Sequence, residues 1–322
     1  MGAFPDKIDK RMIESLRTDG RMPLARLAKK CRISLPRAHY RLNRLREERV
    51  ILDFYPIVDW SKLGLTAFRL MVQFLSPDSG ARQSFVERLK NDPHVLWTAE
   101  CGGRWDLLVD FLEENIYALD RRITGLRGLF PGLDLSYDFL TILQIFEFSQ
   151  GGIGKGHAPT YPTELLSGKK AQTDEKDWRI LQALVKNGRF SVREISHETQ
   201  IHPATIQKRL DRMKKEKILL GVLPQLNAEK FGLEKFKILL SIRADSQSKI
   251  KMIRHLALRT ETRGILELLG PWSLEIEFDC AGAHEAKEFF FGLRKQFGNE
   301  IRDFELLSIP REYNYRYAPL AD

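Results

Sequence analysis

The stretch DKIDKRMIESLRTDGRMPLARLAKKCRISLPRAHYRLNRLREERVI (6–51) lies without a gap over DEKDWRILQALVKNGRFSVREISHETQIHPATIQKRLDRMKKEKIL (174–219). At this offset of 168 residues, Asp9 falls on Asp177, Gly20 on Gly188, Arg21 on Arg189, Ile33 on Ile201, Arg41 on Arg209, Leu42 on Leu210 and Arg44 on Arg212. The register runs on through KLGL (62–65) over KFGL (230–233). After a one-residue slip it reaches GRWDLLVDF (103–111) over GPWSLEIEF (270–278). One module of about half the 322-residue chain is therefore present twice. The join, SQGGIGKGHAPTYPTELLSGKKAQT (149–173), has the Gly, Pro and Thr content of a linker.

Each module divides again. In copy 1, Ile8, Met12, Ile13 and Leu16 follow helical spacing up to a stop near Gly20. A second short helix carries Leu24, Leu27 and Ala28, and a turn at 31–33 follows. Ser34 then suits a helix N-cap, because its hydroxyl can accept an orphan first-turn amide. Pro36 fits the first turn, where a missing N–H costs nothing. Short helix, turn and capped helix make a helix-turn-helix, with ILDFYPIVDW (51–60) leading out as a strand. Beyond it, alternation predicts strand 66–76, helix 79–91, strands 94–101 and 104–112, helix 114–128 and strand 133–148, repeated in copy 2 from Lys235. That order is the ferredoxin-like βαββαβ motif, an antiparallel sheet with both helices on one face. The expected class is α+β, with tandem copies of a winged helix-turn-helix domain and a ferredoxin-like βαββαβ sensing domain. The expected divisions are 1–60, 61–150, a linker at 151–173, 174–228 and 229–322.

The net charge is +9, with +8 in residues 1–50 and +4 in residues 174–218, so the remainder is slightly acidic. Basic charge confined to two short segments is the footprint of a polyanionic partner. On a 100° projection Leu35, Ala38, Leu42 and Leu45 form the buried stripe of the third helix. Pro36, Arg37, Tyr40, Asn43 and Arg44 point away, flanked by His39 and Arg41. In copy 2 the outward face is Ala204, Thr205, Lys208, Asp211 and Arg212, flanked by Gln207 and Arg209. Cations mixed with amides and hydroxyls are what base edges in a major groove require, while Lys29, Lys30, Arg32 and Arg46 suit phosphates. The plainer alternative is a solvated helix face; the repetition of the whole pattern argues against it. Asp211 and the smaller net charge make copy 2 the weaker reader.

These residues resemble the Lrp/AsnC (feast/famine) family, from DKIDKRMIESLRTDGR through ISLPRAHYRLNRLREERVI to KLGL and GRWD, and again through RLDRMKKE and KFGL. The resemblance covers nearly all of the chain except the linker. It implies a transcriptional regulator whose partner is double-stranded DNA, with recognition helices near 34–47 and 202–215 and a sheet domain that dimerises and senses an amino acid or other small metabolite. The family's Ser-Pro at the start of that helix is split here, Ser34-Leu35 in one copy and His202-Pro203 in the other. Its Gly-x-x-Asp turn maps onto Gly103 and Asp106, where a carboxylate could receive a ligand ammonium; copy 2 has Gly270 and Ser273. A tight hairpin wants glycine there regardless of ligand. The tandem arrangement implies an internal pseudo-dimer, open to further homo-oligomerisation, with two unlike helices and an asymmetric operator.

Other chemistry is not indicated. Cys31, Cys101 and Cys280 are sparse, which fits reduced thiols in a cytoplasm; no metal or cofactor is expected. No apolar run approaches the ~18 residues of a membrane span, and no export signal or myristoylation pattern opens the chain. GGIGKG (151–156) lacks the Ser/Thr and helix of a phosphate loop, and His197 and His202 are five apart, off one helix face. Trp97, Trp105, Trp178 and Trp272 read as core. The enzyme alternative is a siroheme decarboxylase, which shares the Lrp-like architecture. His94 and His255, or alternatively Arg311, Tyr313, Tyr315 and Arg316 near the last strand, would then lie around a porphyrin carboxylate.

Overall fold

The computed structural model describes residues 5–75, 78–148, 161–164, 170–243 and 246–315. Most of the linker, including 151–156, and Arg316 lie outside the described residues, as does the side chain of Tyr315.

Each copy opens with three helices: α1 (Lys7–Thr18), α2 (Leu24–Cys31) and α3 (Leu35–Glu47), then α6 (Glu175–Lys186), α7 (Val192–Thr199) and α8 (Pro203–Lys215) in the second. The sequence sets the starts. Asp6 and Asp9 form a capping box at α1, and Asp174 and Asp177 form the same box at α6. The turns are set by non-glycine residues in left-handed conformation, Arg32 (φ 56°) and Gln200 (φ 55°) before the third helix, Arg49 (φ 55°) and Lys217 (φ 58°) after it.

The strands after these helices, β1 (Ile51–Val58) and β7 (Leu219–Leu226), pair with each other in a two-stranded antiparallel sheet. The core of the first helical unit is completed by Val222 and Leu226 of β7, so each unit borrows from the other. The glycine–arginine pair repeated in both copies finds its use here. Gly20 N donates to Val222 O at 2.9 Å and Gly188 N to Phe54 O at 2.8 Å. Arg21 donates to Gly188 O at 2.9 Å and Phe190 O at 2.6 Å, while Arg189 donates to Gly20 O and, at 3.0 Å, to Met22 O. The helical units are thus joined by a reciprocal, pseudo-twofold contact.

The βαββαβ orders follow as expected. Copy 1 has β2 (Thr66–Phe74), α4 (Ser79–Asn91), β3 (Val95–Gly102), β4 (Leu107–Glu113), α5 (Ile116–Leu129) and β5 (Leu135–Glu147). Copy 2 has β8 (Glu234–Ile242), α9 (Ser246–Ala257), β9 (Thr262–Leu269), β10 (Leu274–Cys280), α10 (Ala283–Phe297) and β11 (Ile301–Tyr315). The antiparallel sheets of the two copies join into one closed sheet. The order β2-β4-β3-β11-β8-β10-β9-β5 returns to β2 through the β2–β5 pairing. The long strands do the joining: β11 pairs β8 over its first half and β3 over its second, and β5 does the same with β2 and β9. Within the linker, β6 (Tyr161–Glu164) adds to the end of β5. The helices cover the outside.

The barrel interior holds charge as well as apolar side chains. Arg69 of β2 and Lys237 of β8 occupy equivalent positions, 1% and 0% exposed. Arg69 reaches both oxygens of Asp110 at 2.6 Å and also Glu275; Lys237 reaches Glu275 at 2.5 Å and also Glu277. The Trp97 ring lies 5.2 Å from the Arg69 guanidinium carbon and 4.4 Å from Lys237 Nζ. Trp105 and Trp272 are buried as expected; Trp178 is half-buried against the same core.

Glu147 of β5 accepts a hydrogen bond from Tyr55 of β1, tying wing to barrel. Burial pushes its carboxyl up to about 7, the Tyr55 bond opposing and Glu277 reinforcing. A carboxyl raised in the folded state binds its proton more tightly there than in the unfolded chain. It therefore lowers stability as pH rises from the ordinary carboxylate range to about 7. Glu147→Gln should flatten the urea-denaturation stability profile in that window, removing a slope of up to about 1.4 kcal/mol per pH unit. Identical profiles for the two proteins would refute this assignment.

Candidate nucleic-acid interface

The third helix of each copy is positioned from below by an ion cluster on the first. Arg41 Nη1 lies 2.8 Å from Asp6 and 2.7 Å from Asp9. Arg209 lies 2.6 Å from Asp174 and 2.8 Å from Asp177, and Arg212 pairs with Asp177 and with Gln172 O at 2.9 Å. The Arg209 hydrogen bond is the main cause holding the Asp174 carboxyl down to about 2. The capping carboxylates thus serve two helices at once.

This corrects the projected DNA-facing set. Arg41, Arg209 and Arg212 turn back into their own modules, because a long side chain starting at the flank of a helix can reach a fixed carboxylate beneath it. Leu35 departs the other way. Placed in the buried stripe by projection, it is 49% exposed, as the first residue of α3 with no turn before it to pack on.

On α3, Pro36, Arg37, His39, Tyr40 and Asn43 are exposed, and Arg44 is half-buried. Ser34 Oγ caps the helix through Arg37 N at 3.4 Å. His39 Nδ1 and Asn43 Nδ2 meet at 3.4 Å, one turn apart on the open face. Tyr40 is 65% exposed. On α8 the exposed residues include Gln207, Lys208 and Asp211, with Thr205 half-buried. His202 Nδ1 caps that helix through Ala204 N at 3.3 Å, as its place in the repeat suggests. The Gln207 amide donates to both Asp211 oxygens at 3.0 Å, so this face presents an amide-bound but still anionic carboxylate, with Lys208 exposed beside it.

The expected effector turn lies between β3 and β4. Gly103 has φ +140°, and a Cβ there would sit 2.8 Å from Leu307 Cδ2. Asp106 Oδ2 accepts from Phe74 N at 2.8 Å, Asp106 N donates to Val72 O at 2.9 Å, and Asp106 O accepts from Cys101 N at 3.0 Å. In copy 2, Ser273 makes the same three links, to Ile242 N at 3.3 Å, Leu240 O at 2.8 Å and Leu268 N at 3.0 Å. The turn geometry thus needs an acceptor at this place, and serine suffices. Asp106 additionally lines a cleft of about 580 Å³ with Arg82, Lys90, Glu87, Glu100 and Arg311. Gly103 does not line it.

The residues of the enzyme alternative are dispersed. His94 Nδ1 lies 3.2 Å from Leu112 O and 3.4 Å from Glu113, in copy 1. His255 packs edge-on against Phe297 in the helical layer of copy 2. Arg311 and Tyr313 line the Asp106 cleft. Among the described residues no cluster could hold a metal ion, and no helix is long and apolar enough to cross a membrane.

Residues 5–51 match a winged helix-turn-helix DNA-binding model, and residues 174–214 match an AsnC-type helix-turn-helix model. An uncharacterised helix-turn-helix transcriptional regulator of Pyrococcus horikoshii is 36% identical over 131 residues, 38% of this chain and 86% of its own length. Its counterpart in Pyrococcus abyssi is 36% identical over 136 residues, 40% of this chain and 89% of its own. Each relative spans less than one 168-residue repeat. In architecture, the siroheme decarboxylase NirDL superposes over 98% of this chain and 94% of its own, with TM-score 0.65 and 13% identity, so it shares the tandem fold.

Proposed function

Because this chain belongs to the Lrp/AsnC family of helix-turn-helix proteins, we propose that it is a sequence-specific DNA-binding transcriptional regulator that reads its operator with two unlike helices. The observation that carries this reading is the α3 face: Arg37, His39, Tyr40 and Asn43 stand exposed on a helix pinned from beneath by Arg41. Arginine and asparagine supply the donors that guanine and adenine edges accept, and a ring such as Tyr40 can pack on a thymine methyl. The α8 face offers Thr205, Gln207 and Lys208, a weaker and different code, so the operator is asymmetric. A DNA partner implies a cytoplasmic protein.

Selection from random duplexes should yield one bipartite site with unlike halves. Arg37→Ala and Tyr40→Ala should each cost about 1–3 kcal/mol and relax preference in one half only. Lys208→Ala should lower the slope of log K against log [salt] by about 1. A palindromic selected site, or a slope unmoved by the lysine change, would count against two unlike reading heads.

Effector control belongs to the same reading. The Asp106 cleft joins cations (Arg82, Lys90, Arg311) and carboxylates (Glu87, Glu100, Asp106), which together suit a zwitterionic amino acid. Arg311 arrives there from the other copy, so occupancy would couple the halves. A second reading, tetrapyrrole decarboxylation, rests on the whole-chain likeness to siroheme decarboxylase. Titration with siroheme decides it: a saturable Soret shift with carbon dioxide release would favour the enzyme, and an unshifted spectrum the regulator.

A further inference from the structure

The chain supplies an extra strand to one copy and not to the other. In copy 1, β5 leaves β2 after Ile142, and β6 of the linker takes the edge vacated at Gln144–Glu147. In copy 2, β11 leaves β8 after Ser308 and runs on beside β3. The two places are equivalent. Gln144 and Ile145 face Glu267 and Leu266 of β9, while Arg311 and Glu312 face Glu100 and Ala99 of β3, each pair at the slipped offset of the barrel repeats. Among the described residues no strand takes the other edge of β11 from Arg311 onward. A cleft of about 740 Å³ lies beside it, with Ile309, Arg311 and Glu312 on the strand side, Leu233 just before β8, and Leu52 and Gln225 on the wing.

We propose that this edge of β11 is a docking slot for an extended segment of a second protein, which adds to it as an antiparallel strand and places a carboxylate opposite Arg311. Unpaired amides and carbonyls along a strand edge are a ready template for such addition, as β6 on β5 already shows within the chain. Pro310 stands where β11 changes partners and suits an edge, since it has no N–H to leave unpaired; copy 1 has Leu143 there. The charge follows from the register. Opposite Gln144 in copy 1 stands Glu164, and the position of Gln144 is held in copy 2 by Arg311. Its side chain is 67% exposed and lies 3.9 Å from Glu100. Opposite charges directly across an antiparallel pair attract. Glu312 is committed to Lys235 and to the Trp97 indole N–H at 3.1 Å, so it does not oppose the incoming acid. The wing forms the facing wall of the cleft, which excludes the folded barrel of a second copy. Four extended residues need only about 13 Å, at ~3.3 Å each. The docked strand touches Leu52 and Gln225 as well as β11, so the partner is held where the two helical units meet.

The probe is the fluorescein-labelled, amidated peptide TYPTELL, the sequence of residues 160–166, titrated into the full chain and followed by anisotropy. No DNA is present, so the result is independent of the regulator reading. The peptide should bind saturably at one site per chain. N-methylation at Tyr161 and Thr163, or at Glu164 and Leu166, strips the donors from one edge of the strand or the other. One of these two peptides should lose about tenfold in affinity and the other little. Lysine in place of the peptide's glutamate should also cost about tenfold, and Arg311→Glu, at an exposed position, should reverse that preference. Absence of saturable binding up to millimolar peptide overturns the proposal, as do N-methylated peptides that both bind like the parent. A charge preference unmoved in Arg311→Glu overturns it by seating the peptide elsewhere, and a loss in Asp106→Ser by moving it to the Asp106 cleft. A dimer of the chain that the peptide dissolves would give the edge to a second copy, and binding gained only on removal of residues 316–322 would give it to the chain's own end; either result overturns the proposal.

Discussion

Arg69→Met will cost about 3–5 kcal/mol of stability in urea denaturation, more than any single change at the DNA-facing helices. The side chain is 1% exposed and satisfies two carboxylates, Asp110 at 2.6 Å and Glu275, itself fully buried. Asp110 and Glu275 more than offset the burial that would otherwise disfavour the Arg69 charge, holding its pKa well above the ordinary value. Methionine fits the volume and removes the charge, so the cost measures uncompensated carboxylates rather than a hole. Only Lys237 would then remain for Glu275, and Asp110 would lose both of its bonds to Arg69. A loss below about 1 kcal/mol would mean that the carboxylates take up protons at little cost, and would sink the argument. Arg69→Met with Asp110→Leu should recover part of the loss, since removing both partners leaves fewer buried groups unmatched.

The second large effect is expected where the helical units meet. A Cβ on Gly20 would sit 2.5 Å from Val222 O, and one on Gly188 would sit 2.6 Å from Phe54 O. Both contacts are with backbone carbonyls, which cannot swing aside as a side chain would. Gly20→Ala and Gly188→Ala should each cost about 1–3 kcal/mol as overpacking. The double variant should lose more than the sum predicts for distant sites, because the two contacts belong to one interface. Its affinity for a bipartite operator should fall towards that of a single half, while the barrel keeps its fold. Wild-type affinity for the full operator would show that the wing contact does not set the spacing of the reading heads.

Much of this was legible in the sequence. The offset of 168 residues, the caps at Ser34 and His202 and the βαββαβ order all reappear. These are local signals, written in periodicity and in residues that satisfy helix ends. Closure of the barrel was not legible, because alternation shows that β5 and β11 are strands without saying whose edge each will meet. The site was read less well, for a related reason. A helical projection gives the direction of a Cβ, whereas Arg41, Arg209 and Arg212 act several atoms further out, where Asp6, Asp9, Asp174 and Asp177 wait. The Gly–Arg repeat was visible as text, but its meaning needed the partner carbonyls.

The strand order also bears on how the protein is made. Taken alone, the first half has the order β3-β4-β2-β5, with bare edges on β3 and β5; the second half has bare edges on β9 and β11. A nascent chain leaving the ribosome after β5 therefore carries two unpaired rims until about 150 further residues have followed. Such rims invite a neighbouring copy on the same polysome. Tethering the halves makes the correct partner the nearest one, and it converts an encounter between two gene products into a single event fixed at one-to-one stoichiometry. It also frees the halves to drift apart in sequence while still matching each other, which is the condition for keeping two unlike third helices in one molecule.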